Sequence, residues 1–414
     1  MAWWENRFVT LGKHRLKLGT TSASTIVRRH GTPLFVYSRD QIRANYRRLR
    51  ELFAAGPGRE IRIAYALKAN PFPGILEVLQ AEGAWIDAVS PGEVHAALQA
   101  GFPPRRILFT GTSGGGSDFA DAFAVDGLTV NIDAIEQLDI MKRVRDRWFR
   151  GKKIRVSVRW NPGLGRGFNP KVITAGITSP DGTPIKFGIE ASKVVAAFSK
   201  AAECGFTPVG LHQHLGSGWV RNDFQPIVAA VDKMIAQAAA LERKGFRLEF
   251  LDFGGGFVPR YAKDQELFPL RAYARHIFRG MRNAGLPDRA VALEPGKYLV
   301  ADAGVLLLRV EYVKESYGNL FACVDSGTFN SLPRTAIYNL AYHEIVPASP
   351  ARGGRKARVT IAGNLCETGD VFGKNMLMPV PRAGDILAVL CAGAYGRSMA
   401  SNFNLRPIPK EIMI

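Results

Sequence analysis

The 414-residue chain carries 55 lysines and arginines against 36 aspartates and glutamates, a formal net charge of +19, and is 47% hydrophobic. That composition supports a sizeable core, and the length suggests two or three domains. No apolar run reaches the roughly 18 residues of a membrane span, and the opening "MAWWENRFVT" has no apolar signal core. Cys204, Cys323, Cys366 and Cys391 form no Cys-x-x-Cys pair, so a soluble protein of the reducing cytoplasm is expected, with no membrane partner. The charge by itself fits nucleic acid, an anionic surface or acidic small molecules. Its densest stretch, "MKRVRDRWFRGKKIRVSVR" over 141–159, reads as a solvated helix face leading into a strand. No helix-turn-helix or metal-finger spacing accompanies it, and neither a nucleic-acid partner nor a metal is expected.

In chain order, "FVTLGKHRLKLG" near the start alternates as a hairpin would. Short apolar runs then alternate with amphipathic stretches from about residue 40 to 300: "IRIAYALKA", "WIDAVS", "RILFTG", "LTVNI", "IRVSVRWN", "PVGLHQHLG", "LEFLDFGGGF" and "VALEPG". Helical patterns lie between them; "PGEVHAALQAG" has helical spacing and ends on Gly101 as its C-cap. Eight strands alternating with helices predict an α/β fold, a (β/α)8 barrel over 38–300. After residue 300, "GVLLLRVEYVKES", "NLFACVDSG", "KARVTIAGN" and "DILAVLCAGA" are β-rich. They predict a mostly β second domain built from both chain ends, 1–37 with 301–414.

In such barrels the chemistry sits at the carboxyl ends of the strands. Lys68 is expected to end the first strand and Asp87 the second, while His212 and His214 follow a later one. "LDFGGGF" ends in Gly254, Gly255 and Gly256, and "LEPGK" brings Glu294, Gly296 and Lys297. Each alone has a bland reading: a solvated terminus, a tight turn, a structural histidine. Together, a lysine, a glycine-rich anion nest and a carboxylate in one barrel mouth are the parts that hold pyridoxal phosphate.

The motifs "GTPLFVYS", "YALKANP", "DAVSPGE", "GLHQHLGSG", "LDFGGGF", "EPGKYLVADAG", "CETGDVF" and "GAYGRSMASNFN" span nearly the whole chain. In order and spacing they resemble the fold-type III (group IV) pyridoxal-phosphate-dependent decarboxylases, most closely the diaminopimelate decarboxylase branch. "TPIKFGI" at 183–189 is similar to a barrel-loop signature of that branch. The resemblance implies a homodimer with shared active sites, acting on a small amino acid with pyridoxal 5′-phosphate as cofactor. Lys68 is then the Schiff-base lysine, His214 stacks on the cofactor ring, and Glu294 bonds the pyridine nitrogen. Asp87 joins the cofactor contacts, while Ser217, Gly254, Gly255, Gly256 and Gly296 bind the phosphate and Tyr395 closes over it. Cys366 and Glu367 reach into the partner's barrel, where the thiol assists protonation of the reacting carbon. Arg334 and Tyr338 in "SLPRTAIY" hold a distal carboxylate, Glu367 takes the distal ammonium, and Lys297 and Tyr395 lie beside them.

Lys297 departs from this pattern, because the branch usually has arginine in "EPGK", and a lysine keeps the charge without the planar fork. "TSGGGSDFAD" and "DFGGGFVPRY" depart as well. The expected reaction is meso-diaminopimelate to L-lysine and carbon dioxide. The alternatives are another carboxylate-bearing amino acid in specialised metabolism, a racemase, or a cofactor-binding regulatory homologue.

Overall fold

The computed structural model describes residues 2–12, 15–54, 59–348 and 355–414. Its chain forms two compact units: residues 46–258 with 267–296, and residues 1–45 with 259–266 and 297–414.

The first unit is a closed parallel barrel. Its strands are β1 Ile61–Ala66, β2 Trp85–Ala88, β3 Ile107–Phe109, β4 Thr129–Ile132, β5 Arg155–Asn161, β6 Thr207–His212, β7 Phe250–Asp252 and β8 Ala290–Leu293. Each pairs with the next, and β8 returns to β1 through Val291 opposite Ile61. All eight expected strands are present. β1 stops at Ala66, so Lys68 lies in a 3-10 turn, Leu67–Ala69, rather than at the strand's end. The expected helix at "PGEVHAALQAG" spans Pro91–Gln99; Ala100 is its C-cap and Gly101, at φ +82°, follows it.

Side-chain fit fills the barrel. Ala64, Leu108, Val209, Phe250, Ala290 and Ala292 pack together inside it. A Cβ on Gly210 would come within 2.5 Å of the Phe250 ring, so only glycine lets that ring across. Arg62 is buried with its guanidinium 4.5 Å from the Trp85 ring centroid and 5.0 Å from that of Phe250. The flat, weakly hydrated guanidinium suits such a sandwich.

The second unit is mostly β. Leu34–Tyr37 runs antiparallel to the first residues of Gly304–Ser316, and Lys410–Met413 adds parallel to Leu34–Tyr37. Three remote pieces of chain thus share one sheet, which Asn319–Val324, Lys356–Ala362, Val371–Pro379 and Ile386–Val389 extend. Val9–Gly12 pairs antiparallel with Arg15–Leu18 as expected of a hairpin, whose turn at 13–14 lies outside the described residues. Leu16, Leu18, Leu34, Val305, Leu307 and Ala388 form its core. Among the described residues no helix is long and apolar enough to cross a membrane.

Candidate active site

Loops and strand ends at one rim of the barrel enclose a cavity of about 360 Å³. Lys68, Asp87, Arg159, His212, His214 and Glu294 line it. Register explains part of this grouping. His212 on β6 pairs with Arg159 on β5 and Asp252 on β7, so three chemistry-bearing residues stand at one level of the rim.

Lys68 Nζ lies 2.7 Å from Asp87 Oδ2; the lysine is one-third exposed and the aspartate buried. Burial, and Glu294 nearby, push the Asp87 carboxyl up against the pull of Lys68. His212 Nε2 lies 3.1 Å from Glu294 Oε2, both residues buried. Burial pushes the Glu294 carboxyl up, but His212, His214 and Lys68 more than reverse this and hold it at about 2. Asp252 goes the other way, raised well above the usual carboxylate range by burial and by Glu294. These two neighbouring carboxyls are thus pushed in opposite directions, Glu294 toward ionisation and Asp252 toward its protonated form.

The tautomer of His214 can be read from its neighbour. The Thr174 hydroxyl donates to the His214 carbonyl (2.9 Å) and sits 2.9 Å from Nδ1. With its single proton so used, the hydroxyl accepts from an Nδ1–H. Burial lowers the His214 pKa to about 3, so the ring facing the cavity is neutral near pH 7.

The glycine loop adds an anion cradle. Gly254 and Gly256 have φ of +68° and +120°. A Cβ on Gly255 would reach 2.1 Å from the Glu294 carbonyl oxygen, and one on Gly254 2.5 Å from that of Gln213. No other residue fits that path. The Gly254 N–H donates to Asp252 Oδ1 at 2.9 Å. The N–H groups of Gly255, Gly256 and Gly296 donate to nothing among the described residues. Three bare amides in one place suit a phosphate. Ser217 lies on the loop after β6.

In the β-rich unit, Lys297, Arg334 and Tyr395 come together. Lys297 is buried with Nζ 5.0 Å from the Tyr395 ring centroid, and burial and Arg334 lower its pKa well below the lysine range. The Arg334 guanidinium lies 4.7 Å from the Tyr261 ring centroid, and its Nη1 donates to His343 Nε2 at 2.6 Å. His343 Nδ1–H donates to the Leu390 carbonyl (2.8 Å), which leaves Nε2 free to accept. Tyr338 caps the short helix Arg334–Ile337. Cys366 and Glu367 are exposed on the loop between Lys356–Ala362 and Val371–Pro379, away from that cluster in sequence; the Cys366 N–H donates to Asn404 Oδ1 at 2.9 Å.

Sequence reasoning overlooks Arg159, which reads there as part of the solvated basic stretch. It is only 6% exposed, faces the cavity, and lies 4.6 Å from the ring centroid of Phe187 in the "TPIKFGI" loop. Two-residue alternation along β5 is the signal that finds it, since Arg155, Ser157 and Arg159 share one side. Glu93 is overlooked as well. Its carboxylate accepts from Val89 N–H at 2.8 Å, and burial raises its pKa to about 7.

His212, Asp252 and Glu294 each bring one ligand atom within 4.8 Å of the others, as a metal site would. Their hydrogen bonds assign them differently: Asp252 holds the glycine loop, and Glu294 keeps Oε1 buried and unpartnered among the described residues. That bare, ionised oxygen beside a lysine, a neutral imidazole and an amide cradle fits a ring with an N–H and a phosphate. A barrel so equipped belongs to the pyridoxal-phosphate enzymes.

The comparisons agree. Residues 39–301 match the family model described as pyridoxal-dependent decarboxylase, pyridoxal binding domain. The chain is 38% identical to the diaminopimelate decarboxylase of Methanothermobacter thermautotrophicus over 97% of this chain and 91% of that one. Its structure is similar to that of M. jannaschii diaminopimelate decarboxylase in complex with L-lysine (TM-score 0.89, 31% identity, 99% and 93% covered). It is also similar to that of the Helicobacter pylori enzyme with L-lysine (TM-score 0.86, 31% identity, 94% and 93% covered). The chain belongs to the pyridoxal-dependent decarboxylase family: it is a carboxy-lyase whose cofactor is pyridoxal 5′-phosphate.

Proposed function

We propose that this enzyme converts meso-diaminopimelate to L-lysine and carbon dioxide, as a cytoplasmic homodimer. The observation that carries the substrate is the Arg334 guanidinium, buried in one cluster with Lys297. A substrate whose far end bears a carboxylate offsets that charge, and the arginine fork binds it bidentately. Lysine or ornithine would bring a further positive charge instead. The names of the full-length relatives support the same substrate.

Bound pyridoxal phosphate supplies the electron sink that makes loss of carbon dioxide possible. Lys68 is its covalent attachment point, and Asp87 orients the amine from 2.7 Å. Glu294 Oε1 would hold a proton at the ring nitrogen, His214 would pack against the ring, and Arg159 adds a buried cation to the same cavity. The bare N–H groups of Gly255, Gly256 and Gly296, with Ser217, would bind the phosphate, and Gly254 shapes the turn that presents them. Arg334, Tyr338 and Lys297 read the distal carboxylate, and Glu367 the distal ammonium. The Cys366 thiol, exposed in this chain, would supply a proton in the partner's site.

Carbon dioxide release from a panel of amino acids tests the substrate. Meso-diaminopimelate should exceed lysine and ornithine by up to about 10⁴-fold in kcat/KM, because a site built for a charged group is left unpaired by an analogue lacking it. Lys297, standing where the family pattern has arginine, favours one second reading, a different carboxylate-bearing amino acid; turnover of such a compound with none of diaminopimelate would establish it. Mixing Lys68→Ala with Cys366→Ala subunits should restore part of the activity; none, despite demonstrated exchange, would refute shared sites.

A further inference from the structure

We propose that His212 is a positioning residue for Glu294: it pins one carboxylate oxygen so that the other is presented to the cofactor's ring nitrogen. This rests on the reading that Glu294 serves that nitrogen.

The two oxygens of Glu294 have different surroundings. Oε2 is 3.1 Å from His212 Nε2, while Oε1 is buried and has no partner among the described residues. The Glu294 backbone is held by its own N–H, which donates to the Gly254 carbonyl at 2.9 Å, so only side-chain rotation can re-aim the carboxylate. At 3% exposure, water does not compensate for a turn that breaks the bond to His212. His212 is itself fixed: it closes β6 in register with Arg159 and Asp252 and is 1% exposed. Its Nδ1 has no partner among the described residues, so the ring keeps its hydrogen at Nε2, toward the carboxylate. Asp252, the other acid within reach, is tied to the glycine loop through Oδ1, which accepts from Gly254 N–H, while its Oδ2 has no partner among the described residues. The His212 donor thus gives the carboxylate a direction, and its proximity keeps the carboxylate ionised.

The test uses holoenzyme loaded with ¹⁵N-labelled pyridoxal phosphate and reads the ring-nitrogen chemical shift together with kcat and KM. Glu294→Gln should move the nitrogen signal toward the unprotonated position; if it does not, the reading of Glu294 fails, and this proposal with it. Given that movement, His212→Phe, which keeps a ring of similar size without nitrogens, should shift the signal part of the way. It should also lower kcat about 10-fold, the equivalent of about 1.4 kcal/mol, with little change in KM. His212→Gln, which retains an N–H donor, should recover most of both. A wild-type nitrogen shift and kcat in His212→Phe would overturn the proposal while leaving the role of Glu294 standing. Equal impairment in the Phe and Gln variants would also overturn it, because packing rather than the donor would then be what matters.

Discussion

In the barrel unit, charged groups come as opposites: Lys68 with Asp87 at 2.7 Å, and His212 with Glu294 at 3.1 Å. In the β-rich unit, Lys297 and Arg334 instead lie 5.0 and 4.7 Å from the ring centroids of Tyr395 and Tyr261, and His343 takes an arginine N–H. The first arrangement drives neighbouring carboxyls apart, Glu294 toward ionisation and Asp252 toward its protonated form. The second supports positive charge with aromatic faces and a neutral imidazole, and burial makes Lys297 reluctant to carry its own. Paired charges suit proton and covalent chemistry; a buried arginine fork beside a lysine suits recognition of an anion.

The largest effect separates the two units outright. Lys68→Ala should cost several orders of magnitude in turnover while the protein stays folded, since packing cannot replace a covalent role. Borohydride reduction of the native enzyme should fix the cofactor to the peptide containing Lys68, and labelling of any other lysine would refute the assignment. Arg334→Lys comes next: it keeps the charge but loses the fork and its contact with the Tyr261 ring, and should reduce kcat/KM for a substrate with a distal carboxylate by about 10²-fold or more. A variant that treats dicarboxylate and monocarboxylate substrates as the wild type does would remove Arg334 from recognition.

A pH experiment probes the β-rich unit through stability. Burial and Arg334 lower His343 from 6.5 to about 3. The unfolded chain therefore binds more protons across that window, so the stability from this group is full above pH 6.5 and is lost as pH falls toward 3. Between pH 7.5 and 5 the loss is about 2 kcal/mol for one such group. His343→Gln, measured by urea unfolding, should lose about that much less than the wild type over the same interval; identical losses would show that another group titrates. His214 in the barrel has the same sign, with a pKa of about 3. The smallest effect is Lys297→Arg. It should raise diaminopimelate turnover a few-fold if residue 297 reads the substrate, and leave preference unchanged if it only supports its neighbours.

Much of the fold and of the candidate site is legible in the amino-acid sequence, and the reasons differ by residue. The eight barrel strands follow from local alternation, and the glycine triplet is confined by backbone paths that a Cβ would block. Lys68, Asp87, His214 and Glu294 are legible because strand ends in a (β/α)8 barrel converge, and they do line one cavity. Arg159 is not, because a basic run hides the change from helix to strand period at Arg155. Glu93 is not, because its pKa near 7 comes from burial, which its place in the capping pattern does not show.

What the sequence by itself determined is order and kind: which segments are strands, which loops must be glycine, and which side chains stand at strand ends. These depend on residues within a few positions of one another, where backbone sterics and side-chain period act. The tertiary structure decided which atoms meet and in what protonation state. His212 and Glu294 are 82 residues apart, and only closure of the barrel brings them to 3.1 Å. That Oε2 is bonded and Oε1 bare, that Asp252 is pushed toward its protonated form while Glu294 is pushed toward ionisation, and that Lys297 is buried near Arg334 all follow from desolvation and from neighbours contributed by distant segments.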